Sequence, residues 1–358
     1  MESVGSGAVA QPPTIRDISA ATGLSTYSVS QALAGKPGVG EATRSRVLTV
    51  AAELGYVRNN LAANLQGSTS RTVGVLTASG RNQYYALLVQ AVDAILQRDG
   101  FHAVSNDAMR AGTYSAETER LGVEELLQQR VAAVVATYSL APESLALLTR
   151  WHVPVVFADS LPPLGAESYP FVGVDNFAAS AEVAAYLADL GHRDSVVLAY
   201  PREWSTRAPR QQGFSETARQ RGMRVRVLEA ENSAESAEHT IDALLHSPRS
   251  TWPTAIYAIN TVLLQGTLKA LRRARITIPQ TVSVVGFDDF EWADLIQPPI
   301  TVVDQHIDEI GAAAGRTVLQ LIHRRAARGD DSDVPHVLLP TDLVIRDSCA
   351  SPRASEPV

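Results

Sequence analysis

The chain has 358 residues, 45% hydrophobic and 19% charged, with a formal net charge of −7. That length suits two or three domains, and the composition is that of a folded globular protein rather than a disordered or fibrous one. The single cysteine, Cys349, excludes a disulfide framework and CxxC metal sites and fits a reducing compartment.

Residues 1–13 are small and polar and read as a disordered tail, without the basic and apolar regions of a signal peptide. Residues 14–66 are rich in Ala, Leu, Ser and Arg and read as short helices. Between positions 14 and 70 the basic residues Arg16, Lys36, Arg44, Arg46 and Arg58 face the acidic Asp17, Glu41 and Glu53. This stretch is therefore mildly basic on an otherwise acidic chain, which permits nucleic acid binding without arguing for it. A polar Gly/Ser/Thr linker follows at 67–70.

Beyond the linker, strand-like runs at 73–76, 132–136, 153–157, 196–199, 255–259 and 282–286 alternate with helix-like segments at 85–98, 116–129, 178–190, 211–221 and 263–274. Such alternation predicts βαβ units and parallel sheets, and its extent predicts two lobes rather than one. A ligand would sit between the lobes, at the carboxyl ends of the strands. No apolar run reaches the roughly 18 residues that span a bilayer. The expected location is the cytoplasm, on the nucleoid when bound to DNA, with no membrane partner.

Residues 14–33 carry the most information. Thr14 can N-cap a helix, with Asp17 in the capping-box position. Ile15 and Ile18 share a face. Gly23 can end the helix and supply a positive φ. Ser25 can N-cap a second helix that turns Val29 and Leu33 inward. Helix, glycine turn, helix is the helix-turn-helix unit. Thr26, Tyr27, Ser28 and Gln31 then lie outward near the start of the second helix, where a recognition helix presents hydrogen-bonding groups to the major groove. The amides after Thr14 and Ser25 can hold phosphates. The same pattern also fits a plain helical hairpin with a polar face.

Residues 14–33, then Ala34-Gly35-Lys36-Pro37-Gly38-Val39, Thr43-Arg44-Ser45-Arg46-Val47-Leu48 and Glu53-Leu54-Gly55-Tyr56-Val57-Arg58-Asn59, resemble the lactose-repressor family of bacterial regulators. The likeness continues to the C-terminus. It implies an all-α helix-turn-helix head plus an α/β body of two doubly wound lobes, similar to periplasmic binding proteins. It places Thr26, Tyr27 and Gln31 at base-reading positions and makes 60–66 a hinge helix. Leu65 would wedge into the minor groove, and Asn59 completes the DNA-binding set. Paired hinges imply a homodimer on a palindromic operator. The implied domains are a tail at 1–13, the head at 14–58, hinge and linker at 59–70, an effector-binding and dimerisation body at 71–349, and a tail at 350–358 without a coiled-coil arm. Ser19 and Thr22 stand where the family usually has alanines, and Gln31 where it often has arginine.

In the body the landmarks are Val172-Gly173-Val174-Asp175-Asn176, Arg210-Gln211-Gln212-Gly213-Phe214 and Val285-Gly286-Phe287-Asp288-Asp289. The resemblance implies effector contacts from Tyr84, Tyr85, Trp204, Thr206, Arg210, Asn260, Thr261, Trp292 and Gln305. Each has a plainer reading: Arg210 in an ion pair, Tyr84 and Tyr85 in the core, Trp292 in packing. Thr261 replaces an acid that grips hydroxyls in many members. A sugar is the usual effector, and an anionic ligand is compatible with Arg210. Asp175 and Asp288 are expected to orient loops more than to touch ligand, and His192 to be structural. No G-x-S-x-G elbow, P-loop or HExxH occurs, and the histidines lack ligand spacing. The reading is therefore a non-enzymatic, effector-controlled repressor without cofactor or metal. Its rivals are a sugar-binding protein without DNA function, a regulator with a vestigial cleft, and an enzyme.

Overall fold

The computed structural model describes residues 13–36, 39–54, 56, 70–79, 82–108, 114–326 and 336–352. The expectations for Arg58, Asn59, Leu65, the hinge at 60–66 and most of both tails lie outside the described residues. The chain divides into two compact units, Met1–Thr69 and Ser70–Val358.

The first unit contains helices α1 (Ile15–Thr22), α2 (Thr26–Leu33) and α3 (Glu41–Glu53). The Asp17 carboxylate accepts from both the amide and the hydroxyl of Thr14 at 2.7 Å, which holds the first turn of α1. Gly23 ends that helix at φ 70°, a left-handed conformation that glycine adopts without steric cost. Ser25 caps α2 by accepting from the Ser28 amide at 3.1 Å. Ile18, Val29, Ala32, Val47 and Ala51 form the core, with Ile15 and Leu33 packed partly buried against it.

The hydroxyls at Ser19 and Thr22 do not disturb this packing. Thr22 is buried and donates to the Ile18 carbonyl at 2.7 Å, while Ser19 donates to the Leu24 carbonyl at 2.5 Å. Both polar groups are thereby satisfied locally.

In the second unit, the first lobe opens with β1 (Thr72–Thr77), α4 (Gln83–Leu96), β2 (His102–Asp107), α5 (Ala116–Gln128), β3 (Ala133–Ala136), α6 (Pro142–Arg150), β4 (Val155–Ala158) and β5 (Phe171–Val174). The chain then builds the second lobe from α7 (Asn176–Asp189), β6 (Asp194–Ala199), α8 (Arg207–Gln220), β7 (Arg224–Glu229), α9 (Ala234–Leu245), β8 (Ala255–Ala258), α10 (Thr261–Arg273), β9 (Ser283–Phe287) and β10 (Thr301–Asp304). It returns with α11 (Ile307–Ala326) and β11 (Val337–Leu339) and ends on β12 (Asp342–Val344).

The sheets run β11-β5-β4-β3-β1-β2 and β12-β10-β9-β8-β6-β7. Pairing is parallel throughout except for β10 with β12. The chain crosses between lobes after β5, after β10 and after β11. Each sheet is doubly wound, so its strand order reverses beside β1 or β6, where the carboxyl ends open a crevice.

Inner strands are fully buried and apolar, as parallel strands covered on both faces must be. Helices α4 and α11 cover one face of the first sheet, through Leu88, Val92, Ile310 and Val318. In the second lobe α7 and α8 pack closely. A Cβ on Gly213 would lie 2.1 Å from the Phe177 carbonyl oxygen, so only glycine fits there. Asp175 caps α7 by accepting from the Ala178 amide at 2.9 Å. His192 is buried, bonds Thr254 at 2.8 Å, and is held neutral by burial, its pKa lowered to about 4. Both residues thus have the structural positions expected of them.

Candidate functional site: a polar head face and an interlobe cleft

On the head, Ser25, Thr26 and Tyr27 are exposed at the N-terminus of α2, with Tyr27 73% accessible, while Ser28 and Gln31 are partly exposed. One helical turn therefore offers hydroxyls, a phenol and an amide from a scaffold fixed by Val29 and Ala32. Thr14 is exposed at the start of α1.

The cleft gathers groups from both lobes. From the first come Asn82, Tyr84, Tyr85 and Asp159; from the second come Tyr200, Trp204, Thr206, Arg210, Asn232, Asn260 and Asp288. Nearly all are placed by secondary-structure ends. Asn82 caps α4 through the Tyr84 amide at 3.1 Å, and Asn260 caps α10 through the Leu263 amide at 2.8 Å. Asp159 follows β4, Tyr200 follows β6 and Asp288 follows β9. Asp159 and Asp288 take left-handed backbone at φ 56° and 75°, a strained choice for non-glycine residues that recurs at functional loops.

Arg210 is the keystone. Its Nε donates to Asn176 Oδ1 at 2.6 Å and its Nη1 to the Ile259 carbonyl at 2.9 Å. Its Nη2 lies 3.8 Å from Asp159 Oδ1, and its guanidinium sits 3.6 Å from the centroid of the Phe287 ring. The ion-pair reading of Arg210 thus describes its present contacts.

Asp159 is buried, and burial raises its carboxyl to about 7 despite the opposing pull of Arg210, with Asp288 adding to the rise. Neither Asp159 Oδ1 nor the Tyr84 hydroxyl makes a hydrogen bond of good geometry, though the Tyr84 phenol lies close enough to favour the ionised Asp159 carboxylate. Burial also raises the phenols of Tyr84 and Tyr85, which stay neutral.

Asp288 is itself held by the two residues behind it. Thr261 donates its hydroxyl to Asp288 Oδ2 at 3.1 Å, and Gln305 donates Nε2 to Asp288 Oδ1 at 2.5 Å. Thr261 and Gln305 therefore form a layer beneath the cleft rather than its wall. Trp292 joins neither group. Its ring packs on Phe290 with centroids 3.8 Å apart and lines a separate groove with Leu268, Ile276, Ile278 and Ile296.

The lobes are latched at one edge. Trp204 packs against the touching pair Tyr114 and Tyr138 of the first lobe, with centroids 5.9 and 6.4 Å away. The Ser205 hydroxyl meets the Ser160 hydroxyl at 2.8 Å and accepts from the Leu161 amide at 3.1 Å. The cavity between these groups is only about 30 Å³, room for one or two waters. A metabolite enters only if the lobes part.

Of the expected effector residues, Tyr84, Tyr85, Trp204, Thr206, Arg210 and Asn260 come together. Sequence reasoning missed Asn82, Asp159, Tyr200 and Asn232, and ranked Asp288 low. No group of three or more potential metal ligands occurs among the described residues. No described helix is long and apolar enough to cross a membrane.

The comparisons with known proteins agree with this layout. The family "bacterial regulatory proteins, lacI family" matches residues 14–59, and a periplasmic binding protein-like domain matches residues 184–349. The chain is 29% identical over 353 residues to the transcriptional regulator MalR of Streptomyces coelicolor, covering 94% of this chain and 96% of that protein. It is 27% identical over 329 residues to the repressor PurR of Salmonella paratyphi A, covering 90% and 94%. Among solved structures, the lac repressor dimer bound to operator and the anti-inducer ONPF shares the fold with TM-score 0.79 at 24% identity, over 95% of this chain and 100% of that one. A CelR–cellobiose complex matches with TM-score 0.67 at 25% identity, over 94% and 99%. These relatives are regulators, not enzymes.

Proposed function

We propose that this chain, which carries a DNA-binding domain of the lacI family of bacterial regulatory proteins and a periplasmic binding protein-like body, is a homodimeric transcriptional repressor controlled by a small molecule in the interlobe cleft. The observation that carries the proposal is the pairing of two features in one chain: an exposed polar face on α2, and a cleft where both lobes converge on Arg210. Thr26, Tyr27 and Gln31 read base edges in the major groove, and the N-termini of α1 and α2 take phosphates. Asn59 and Leu65 are assigned to the DNA side on the resemblance alone.

Control follows from linkage. A ligand shifts the lobes only by its differential affinity for their two arrangements. The small closed cavity and the Trp204–Ser205 latch supply one arrangement, and a parted state with room for a metabolite supplies the other. Segment 59–70 joins the lobes to the head in sequence and passes the change to operator affinity. The similar lac repressor binds operator as a dimer with an anti-inducer in place, and the similar CelR holds cellobiose. A two-fold symmetric operator and a carbohydrate-sized effector are the corresponding readings for this chain.

Selection of binding sites from random DNA with the full-length protein tests the DNA half. The expected result is a symmetric consensus that Tyr27→Ala and Gln31→Ala alter. A protein that enriches no sequence is not such a regulator.

A further inference from the structure

We infer that the interlobe cleft is built for a small organic cation, a ligand whose protonated or quaternary amine sits against Asp159 and Asp288 under the rings of Tyr84, Tyr85, Tyr200 and Trp204. This deepens the reading of the cleft as the effector site and rests on it.

Arg210 is largely committed. Two of its donors are bonded to Asn176 and Ile259, its third nitrogen faces Asp159, and its flat face covers Phe287. Only Nη2 is without a hydrogen bond, and it faces Asp159 at 3.8 Å, so an anion gripped there would compete with a carboxylate already in place. An anionic ligand would also have to lie beside two acidic side chains.

Charge also favours a cation. Among the lining residues, one arginine stands against Asp159 and Asp288. The carboxylate of Asp288 is bonded by Thr261 and Gln305. Asp159 has weaker support: its Oδ1 makes no hydrogen bond of good geometry, with only the Arg210 Nη2 3.8 Å away and the Tyr84 phenol close enough to favour the ionised carboxylate. Buried polar groups left in this condition are costly, and a ligand that donates to them recovers the loss. A neutral polyol would satisfy the lone oxygen but leave the excess negative charge in place. An ammonium group meets both needs.

The walls agree. Four aromatic residues line the cavity, and an aromatic face attracts a cation more strongly where water is excluded. Asn82, Asn232 and Asn260 also line the cavity, with Asn82 and Asn260 capping helices and Asn260 donating to Asn232 at 2.8 Å.

A proton signature follows. In the ligand-free cleft burial lifts Asp159 to about 7, with Arg210 opposing and Asp288 adding; the phenols of Tyr84, Tyr85 and Tyr200 also face it. A bound cation favours the ionised form, so binding expels a proton and tightens as pH rises. With that starting value, the ionised fraction grows about tenfold between pH 6 and pH 8, and affinity grows with it.

The test is a thermal-shift screen of the full-length protein with choline, putrescine and agmatine, which stay charged across the pH range, beside glucose, inositol, gluconate and citrate. Titrations of the best stabiliser against wild type and Asp159→Asn follow, at pH 6 and pH 8. The expected result is that cations stabilise, that affinity rises about tenfold with pH, and that the isosteric Asp159→Asn weakens binding at pH 8 by about tenfold or more. Stabilisation by neutral or anionic compounds alone, no stabilisation by any compound, or a cation whose affinity ignores both pH and Asp159→Asn would each overturn the inference. Operator binding separates this from the regulatory proposal. A cation that binds as described without changing operator affinity refutes regulation only, whereas a neutral sugar that changes operator affinity refutes the cation only.

Discussion

Replacing Arg210 with alanine is expected to damage the fold of the body before it says anything about effector binding. The substitution removes the donors to Asn176 Oδ1 and to the Ile259 carbonyl, both buried hydrogen bonds. Each buried acceptor left without a donor costs about 1–3 kcal/mol. It also removes the cation beside Asp159, and deleting one member of a buried pair costs about 3–5 kcal/mol. These contributions overlap, because Asp159, already raised to about 7, escapes part of the penalty by binding a proton. A net loss of about 4 kcal/mol is the consistent figure. At roughly 2–4 °C per kcal/mol for domains of this size, Tm of the body falls by roughly 8–15 °C. Circular dichroism melts of the full-length protein measure it directly. Arg210→Lys should recover only part of the loss, because an ammonium cannot span two acceptors while lying flat on Phe287. A melt of Arg210→Ala within about 2 °C of wild type would refute the reasoning and mean that Arg210 is held for a ligand.

Other substitutions test the remaining links. Asp159 binds a proton near pH 7 in the folded state but only near the usual carboxylate value when unfolded. Its contribution to stability is therefore fully present below about pH 4 and is lost as pH rises through about 7. Because asparagine cannot ionise, Asp159→Asn should gain Tm relative to wild type between pH 6 and pH 8; a constant difference across that range argues against the raised value. Ser25→Ala should remove about 1 kcal/mol from the head, seen as faster hydrogen exchange in α2, and unchanged exchange would mean that the Ser28 bond contributes nothing. Gln31→Ala should shift base preference by up to about 1–3 kcal/mol at one position while leaving the head's stability intact; an unaltered selection profile removes Gln31 from the readout.

Much of this protein was legible before its coordinates. The head was, because Thr14, Asp17, Gly23 and Ser25 each specify a local backbone event and the structure contains each one. The inner strands β1, β3, β4, β6, β8 and β9 were, because burial on both faces leaves nearly pure Val, Leu, Ile and Ala runs; the inner β5 and β10, four residues each, were not among the strand-like runs. The outer strands were not. In β7 the sequence alternates Arg and Val with mixed exposure, and β11 and β12 are three residues each, too short to stand out from loop. Helices α6, α9 and α11 were passed over although Pro142 and Ser233 mark two of their starts.

The cleft divided along similar lines. Arg210, Trp204 and the tyrosines at 84 and 85 were recognisable from resemblance, whereas Asp159 and Tyr200 are single residues in no motif. What they share is position, immediately after β4 and β6 at the carboxyl edge of the sheets. Applying that rule to every strand would have found both, and would have raised Asp288 from loop support to cleft wall. Trp292 shows the opposite error, since nearness in sequence to Asp288 did not carry it into the cleft.

The central claim, that a ligand between the lobes sets operator affinity, is tested most directly by cross-linking the latch. Ser160 and Ser205 touch across the cleft at 2.8 Å, so Ser160→Cys with Ser205→Cys should form a disulfide on oxidation. Operator affinity is then measured with and without a metabolite that stabilises the reduced protein. The account predicts a change of about fivefold or more in the reduced double variant and in wild type, and none in the oxidised form, whose lobes cannot part. An operator affinity that a bound ligand leaves unchanged, or that still responds after cross-linking, would contradict it.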